Sequence, residues 1–287
     1  MTGPGTDPAP RPGPGISGTT RLYAVLGDPV AQVRAPGLLN SLFARTGTDA
    51  VLVPLHVTPA DLATVLRGLR ALRNLDGVLV TVPHKIEVCR YADELAPAAR
   101  LAGSANALRR NPDGTWRADN FDGAGFVHAL RAHGHDPAGA EVALFGAGGA
   151  GRALACALLT SGVRRLHLFD PDAAHREDLL KRLTELRPGW AREGTDEALA
   201  RVDLAVNASP LGMRPGDPLP FAPDRLSPHG AVADLVMKPA ETALLRAAAA
   251  AGRPVVPGGP VLDSQVALYR DFFGLTGDAP PEGGPTP

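Results

Sequence analysis

Gly146-Ala147-Gly148-Gly149-Ala150-Gly151 carries the most chemically specific spacing in the chain. An apolar run, Glu141 to Phe145, precedes it and a helical pattern follows, so the G-x-G-x-x-G motif joins a strand to a helix. There the first glycine permits a tight turn, the second lets a pyrophosphate approach the backbone, and the third lets helix and strand pack closely. The helix N-terminus then turns unpaired N–H groups and the positive end of its dipole toward phosphate. Asp170 ends the next strand, where a carboxylate can accept hydrogen bonds from both adenosine ribose hydroxyls and repel a 2′-phosphate. This favours NAD over NADP, although His175 and Arg176 can still reach a phosphate, and Asp170-Pro171-Asp172 also suits a plain turn. Asn207 and Gly258 are assigned to the same cofactor site.

Two alternations of strand and helix are available to position these groups. Arg21–Leu26, Ala50–Val57 and Gly77–Val82 read as strands, with helical patterns at 37–45 and 59–72 between them. That order predicts a parallel sheet with right-handed crossovers. After a joining helix at 122–132, strands are expected at 141–145, 164–169, 204–207 and 231–235, with helices at 152–161 and 174–186. A last helix, 261–273, has no strand after it and is expected to pack back on the first half. The fold class is therefore α/β in two domains. The divisions are 1–19 as a loose tail, 20–122, a Rossmann-type 123–257, the returning 258–275, and a second loose tail at 276–287.

Composition narrows the function. Lys plus Arg number 29 against 30 for Asp plus Glu, so no net field draws in nucleic acid or an anionic membrane, and no basic patch interleaves with aromatics. The expected partner is a small molecule. Cys89 and Cys156 are the only cysteines and belong to no metal-binding spacing, so they read as reduced core thiols and no metal is expected. The first nineteen residues lack an apolar signal core, and alanine-rich stretches are broken by charges, which points to a cytoplasmic protein, monomeric or homodimeric.

Several short segments extend the picture: Gly27-Asp28-Pro29-Val30, Val80-Thr81-Val82-Pro83-His84-Lys85, Ala102-Gly103-Ser104-Ala105-Asn106, Asp119-Asn120-Phe121-Asp122-Gly123 and Asp263-Ser264-Gln265. With the glycine-rich turn, their order and spacing over about residues 21–275 resemble the shikimate dehydrogenase family, including its quinate/shikimate members. The resemblance implies an N-terminal substrate domain, a nucleotide domain, and hydride transfer between nicotinamide and a ring hydroxyl or ketone. It maps the catalytic pair onto Lys85 and Asp122. A lysine in a partly closed cleft can exchange the proton a developing alkoxide needs, and Asp122 would orient it. Read alone, Lys85 is a solvated charge and Asp122 a helix N-cap. Asn106 and Gln265 match the family's amides for ring hydroxyls, and Thr81 its substrate-facing threonine.

The same resemblance exposes departures at the end that would hold the substrate carboxylate. Where the family continues His-Ser-x-Ser-Pro, this chain has Gln32-Val33-Arg34-Ala35-Pro36, so both serines are gone. Leu79, Phe121 and Met237 stand where the family has asparagine, threonine and tyrosine. The leading expectation is an oxidoreductase for a cyclic hydroxy or keto substrate with a less polar or differently charged far end. The alternatives are an ordinary shikimate or quinate dehydrogenase using Arg34 as a substitute carboxylate clamp, and a nucleotide-binding regulator without turnover.

Overall fold

The computed structural model describes residues 15–275; most of the two expected tails, 1–14 and 276–287, lies outside the described residues. Residues 17–20 form a turn tied to the body by hydrogen bonds from the Thr19 and Thr20 hydroxyls to Asp49, each 2.7 Å.

The first sheet begins as β1 (Arg21–Gly27), α1 (Ala35–Thr46), β2 (Ala50–His56), α2 (Leu62–Ala71) and β3 (Leu75–Val80). Leu39, Leu42 and Phe43 of α1 and Leu62 and Leu66 of α2 are the buried stripes that hold these helices to the sheet. α2 starts three residues later than expected, because a turn at 58–61 precedes it, closed by Asp61 N–H donating to the Thr58 carbonyl at 3.1 Å. Likewise β3 ends at Val80, which leaves Thr81 and Val82 in the following turn.

The expected parallel pairing holds for these three strands, β1 lying between β2 and β3, and the sheet then continues with strands the sequence reading did not name. After β3 come β4 (Glu94–Leu95), α3 (Pro97–Ala102), β5 (Ala107–Arg110) and β6 (Trp116–Asp119). β5 runs antiparallel to both β3 and β6, giving a mixed sheet ordered β2-β1-β3-β5-β6-β4. A tight β5–β6 hairpin needs no crossover helix, so antiparallel pairing is its natural outcome.

α4 (Asp122–Ala132) leads to the second sheet: β7 (Glu141–Phe145), α5 (Gly149–Thr160), β8 (Arg165–Phe169), α6 (Ala173–Leu186), β9 (Ala191–Glu193), α7 (Asp196–Leu199), β10 (Leu204–Asn207), β11 (Ala231–Asp234), α8 (Ala243–Ala250) and β12 (Val255–Val256). Every pairing in it is parallel, in the order β12-β11-β10-β7-β8-β9. That is the doubly wound order of dinucleotide-binding folds, whose strand order reverses between β7 and β10 and opens a crevice there.

α9 (Gly259–Phe273) returns to the first sheet, where Leu262, Tyr269, Phe272 and Phe273 share an apolar cluster with Tyr23, Phe43 and Leu79. α4 lies between α5 and α9 and two glycines make it fit. A Cβ on Gly123 would stand 2.5 Å from the Ala153 carbonyl oxygen, and one on Gly125 2.8 Å from that of Val261. No helix among the described residues is long and apolar enough to cross a membrane.

Candidate active site

The glycine-rich turn leaves β7 at the crevice where the strand order reverses. Gly146 has φ +109°, a conformation that side-chain-bearing residues rarely adopt. A Cβ on Gly151 would lie 1.9 Å from the Gly146 carbonyl oxygen, so the third glycine is set by the turn's own backbone. Gly148, by contrast, faces open space, and the N–H groups that open α5 have no intrahelical acceptors. That opening leaves the backbone at Gly148 free of any neighbouring side chain. Ala147 is pinned on both sides: its N–H donates to Asp170 Oδ2 at 2.6 Å, and its carbonyl accepts from buried Arg152 Nε at 3.2 Å. Ala150 follows Gly149 into the first turn of α5.

Asp170 therefore holds the turn. Its second oxygen accepts the Asp172 N–H at 2.8 Å, and Arg176 Nη1 donates to its carbonyl at 2.6 Å. Gly146, Asp170, Arg176, Glu193, Ser209 and Leu211 line a groove beside it. Asn207, fully buried, donates to the Leu211 carbonyl at 2.9 Å and to Asp234 Oδ1 at 3.0 Å, while its oxygen accepts from Ser209. It shapes the loop after β10 that faces Gly146. Gly258 packs under the end of β11, where a Cβ would stand 2.6 Å from the Leu235 carbonyl oxygen.

The other wall comes from the first sheet. Lys85 follows β3, and its stem lies against the glycine-rich turn so closely that a Cβ on Gly149 would meet Lys85 Cβ at 2.4 Å. Ser104 Oγ donates to the Gly149 carbonyl at 2.7 Å, a second link between the two halves. Lys85 Nζ donates to Asp122 Oδ2 at 2.6 Å, and both side chains are largely buried. Asp122 stands in the first turn of α4 but caps nothing: its N–H donates to Asn120 Oδ1 at 3.0 Å, and its carboxylate faces inward.

Asp122 Oδ1 accepts from Asn106 Nδ2 at 2.9 Å and from Gln265 Nε2 at 3.3 Å. The structure thus gathers Lys85, Asn106 and Gln265, from three separate segments, around the carboxylate of Asp122. Gln265, readable in sequence as a surface helix residue, is buried. Thr81 lies at the turn after β3, and its hydroxyl bonds to no described residue. Sequence reasoning missed Tyr269, whose hydroxyl lies 3.0 Å from Asn106 Nδ2. Its signal was its place four residues after Gln265, on the same helix face.

The five positions that depart from the family pattern meet in space. Ala35 and Leu79 belong to the apolar cluster under α9, and Val33, Phe121 and Met237 pack against it half-buried. Phe121 meets Tyr269 edge-on at 5.5 Å, which joins this apolar wall to the polar network. Arg34 is drawn to α9: its guanidinium lies 3.3 Å from Asp263 Oδ1 and 3.4 Å from the Gly259 carbonyl oxygen.

Comparison with known proteins gives a consistent result. The family model for the shikimate dehydrogenase substrate binding domain matches residues 25–108. A shikimate dehydrogenase (NADP(+)) from Rubrobacter xylanophilus is 41% identical, with 92% of this chain and 95% of the relative covered. Among solved structures, shikimate 5-dehydrogenase from Listeria monocytogenes in complex with shikimate and NAD superposes with TM-score 0.79 at 30% identity, covering 91% of this chain and 94% of that one. A 5-ketofructose reductase from Gluconobacter superposes with TM-score 0.76 at 26% identity, covering 91% and 95%.

The Rubrobacter xylanophilus enzyme and further curated relatives named for NADP(+) overturn the expectation of NAD over NADP. The physical reason is local. Asp170 accepts the Ala147 and Asp172 N–H groups, so an acid at this strand end has a role in holding the turn and does not by itself diagnose a ribose acceptor.

Proposed function

The chain belongs to the shikimate dehydrogenase family, and we propose that it transfers hydride to or from a cyclic hydroxy or keto substrate whose far end is less polar than that of shikimate. It is an NAD(P)-dependent oxidoreductase acting on CH–OH groups, which removes the reading of a regulator without turnover. In our reading residues 20–122 and 258–275 hold the substrate and 123–257 the dinucleotide.

The nicotinamide, when bound, supplies or accepts the hydride. The protein's task is the proton. Lys85 Nζ donates to the substrate oxygen as it becomes an alkoxide and takes the proton back in the oxidative direction. Asp122, 2.6 Å from Nζ, aims the ammonium and leaves two of its N–H groups for the substrate. Contact of the Lys85 stem with the glycine-rich turn sets this proton donor beside the cofactor site.

One observation supports the altered far end: Val33, Ala35, Leu79, Phe121 and Met237, scattered in sequence, converge on one apolar cluster beside the Lys85–Asp122 pair. None offers a side-chain hydrogen bond of ordinary strength to a carboxylate. Each charge-assisted bond forgone costs about 1.5–3 kcal/mol, roughly 10–150-fold in affinity. Arg34 is no ready replacement, because Asp263 already engages it. The neighbour named 5-ketofructose reductase lends support, since a ketose has no carboxylate to bind.

The test is a screen of NADPH consumption by nicotinamide absorbance over ring ketones with and without a carboxylate. Carboxylate-free ketones are expected to lead by at least about tenfold in kcat/KM. Oxidation of shikimate at about 10⁴ M⁻¹s⁻¹ or more overturns the altered-specificity reading.

A further inference from the structure

Between Asn106 and Gln265 sits a hydroxyl that the chain itself supplies. Tyr269 lies one turn after Gln265 on α9 and is 4% exposed. Its oxygen accepts from Asn106 Nδ2 at 3.0 Å, and its O–H donates to Gln265 Oε1. Burial, reinforced by the negative charge of Asp122, holds the phenol well above its ordinary pKa, so it stays a donor. Phe121 backs the ring edge-on at 5.5 Å and fixes where the oxygen points.

Counting donors and acceptors shows what this hydroxyl displaces. The Asn106 carbonyl accepts the Phe121 N–H at 3.0 Å, and its two N–H hydrogens serve Asp122 and Tyr269. Gln265 gives its carbonyl to Tyr269 and one N–H to Asp122. The hydrogens left for a substrate are two N–H of Lys85, one N–H of Gln265 and the Thr81 hydroxyl, beside remaining lone pairs on Asp122 and on the two amide oxygens. Only one amide hydrogen is therefore still free, and it belongs to Gln265. That set leaves no amide hydrogen of Asn106 for a second ring hydroxyl.

We propose that the Tyr269 hydroxyl takes the place of a substrate hydroxyl between the two amides. The site is then built for a cyclic ketone or alcohol carrying one hydroxyl fewer beside the reacting carbon than a substrate that Asn106 holds directly. Tyr269 is thus a specificity-determining residue, and this rests on the preceding reading that Lys85, Asp122 and the amides face the substrate. Phe121 and Tyr269 act in one direction: the first removes a polar contact from the wall, and the second fills a polar slot from within.

The experiment compares reduction of cyclohexanone and 2-hydroxycyclohexanone by NADPH in the full chain, in Tyr269→Phe and in Lys85→Met. The native chain is expected to favour cyclohexanone in kcat/KM. Tyr269→Phe keeps the ring but frees the Asn106 N–H and the Gln265 carbonyl, so the ratio is expected to shift toward 2-hydroxycyclohexanone by about tenfold. Should that variant not fold, Tyr269→Met removes the same oxygen with an adaptable side chain. A merely structural brace would lower both activities together, so a ratio within about twofold of the native value overturns the proposal. If Lys85→Met abolishes turnover while the ratio stays put, only this inference falls. If Lys85→Met is as active as the native chain, or no protein reduces either ketone, the preceding reading falls and carries this one with it.

Discussion

The glycine-rich turn and the Lys85–Asp122 network lie against each other but are made of different material. The turn is backbone. Its shape follows from Gly146, Gly151 and the two hydrogen bonds that pin Ala147, all within Phe145 to Asp170. The network is side chain. It draws Lys85, Asn106 and Asp122 from separate segments to meet Gln265 and Tyr269 of α9, with hydrogen-bonded partners up to 163 residues apart. A backbone site admits little variation where Gly146 holds φ +109° and a Cβ on Gly151 would meet the Gly146 carbonyl oxygen. A side-chain site can change its chemistry residue by residue while its scaffold stays put. The altered positions Val33, Ala35, Leu79, Phe121 and Met237 accordingly all fall on the side-chain half.

Lys85→Met is the strongest way to sharpen this contrast. It keeps the stem that lies against Gly149 and removes the proposed proton donor, so kcat is expected to fall by about 10³-fold. NADPH affinity, measured by fluorescence titration, should stay within about threefold of the native value. Equal losses in both would mean that the two halves do not divide the work as described.

Gly151→Ala probes the backbone half. Its Cβ would stand 1.9 Å from the Gly146 carbonyl oxygen, so the turn must shift and NADPH is expected to bind about 10²-fold more weakly. Far-ultraviolet circular dichroism should show the fold retained. An unchanged Kd would remove the turn from the cofactor site.

The smallest effect concerns pH and lies in the second sheet, away from the cleft. His167 Nε2 and Glu141 Oε1 are 2.6 Å apart and buried, and Arg192 Nε donates to the other ring nitrogen at 3.4 Å. Burial pushes the His167 pKa down, aided by the Arg192 and Arg165 charges and opposed by Glu141. Burial also works to raise the Glu141 carboxyl, but the His167 hydrogen bond and the charges of His167, Arg164 and Arg165 outweigh it and hold it below the usual range. Both folded-state values lie below the unfolded ones, so the unfolded chain binds more protons as pH falls. Stability is therefore full above about pH 6.5, declines first through His167, and declines again below about pH 4.5 through Glu141. His167→Gln should flatten the drop in urea midpoint between about pH 7 and pH 5. A native slope in that variant would assign the acid sensitivity elsewhere.

Much of the scaffold could be read from periodicity. The spans expected for α4, β7 and β10 match the structure residue for residue. The β5–β6 hairpin escaped notice because Leu108-Arg109-Arg110 lacks a clean alternation, although Asp113-Gly114 in its connection is a hairpin signal. Its arginines stay in the sheet by reaching outward: Arg109 donates to the Phe272 carbonyl at 2.7 Å, and Arg110 lies over the Trp116 ring. In the candidate site, Lys85, Asn106, Asp122 and Gln265 were nameable from motifs. Tyr269 was not, since a tyrosine in an apolar helix reads as core until its hydroxyl is seen between two amides.

The sequence by itself determined where the chain turns, which glycines the turn after β7 needs, and that two α/β units alternate along its length. Those features depend on neighbours within a few residues, where sterics and hydrophobic period act directly. The tertiary structure decided the rest: that Asp170 braces the turn, that Arg34 is held by Asp263, and that an internal phenol lies between the amides. Each depends on which polar groups from distant segments satisfy one another once buried, and that matching exists only in the folded chain.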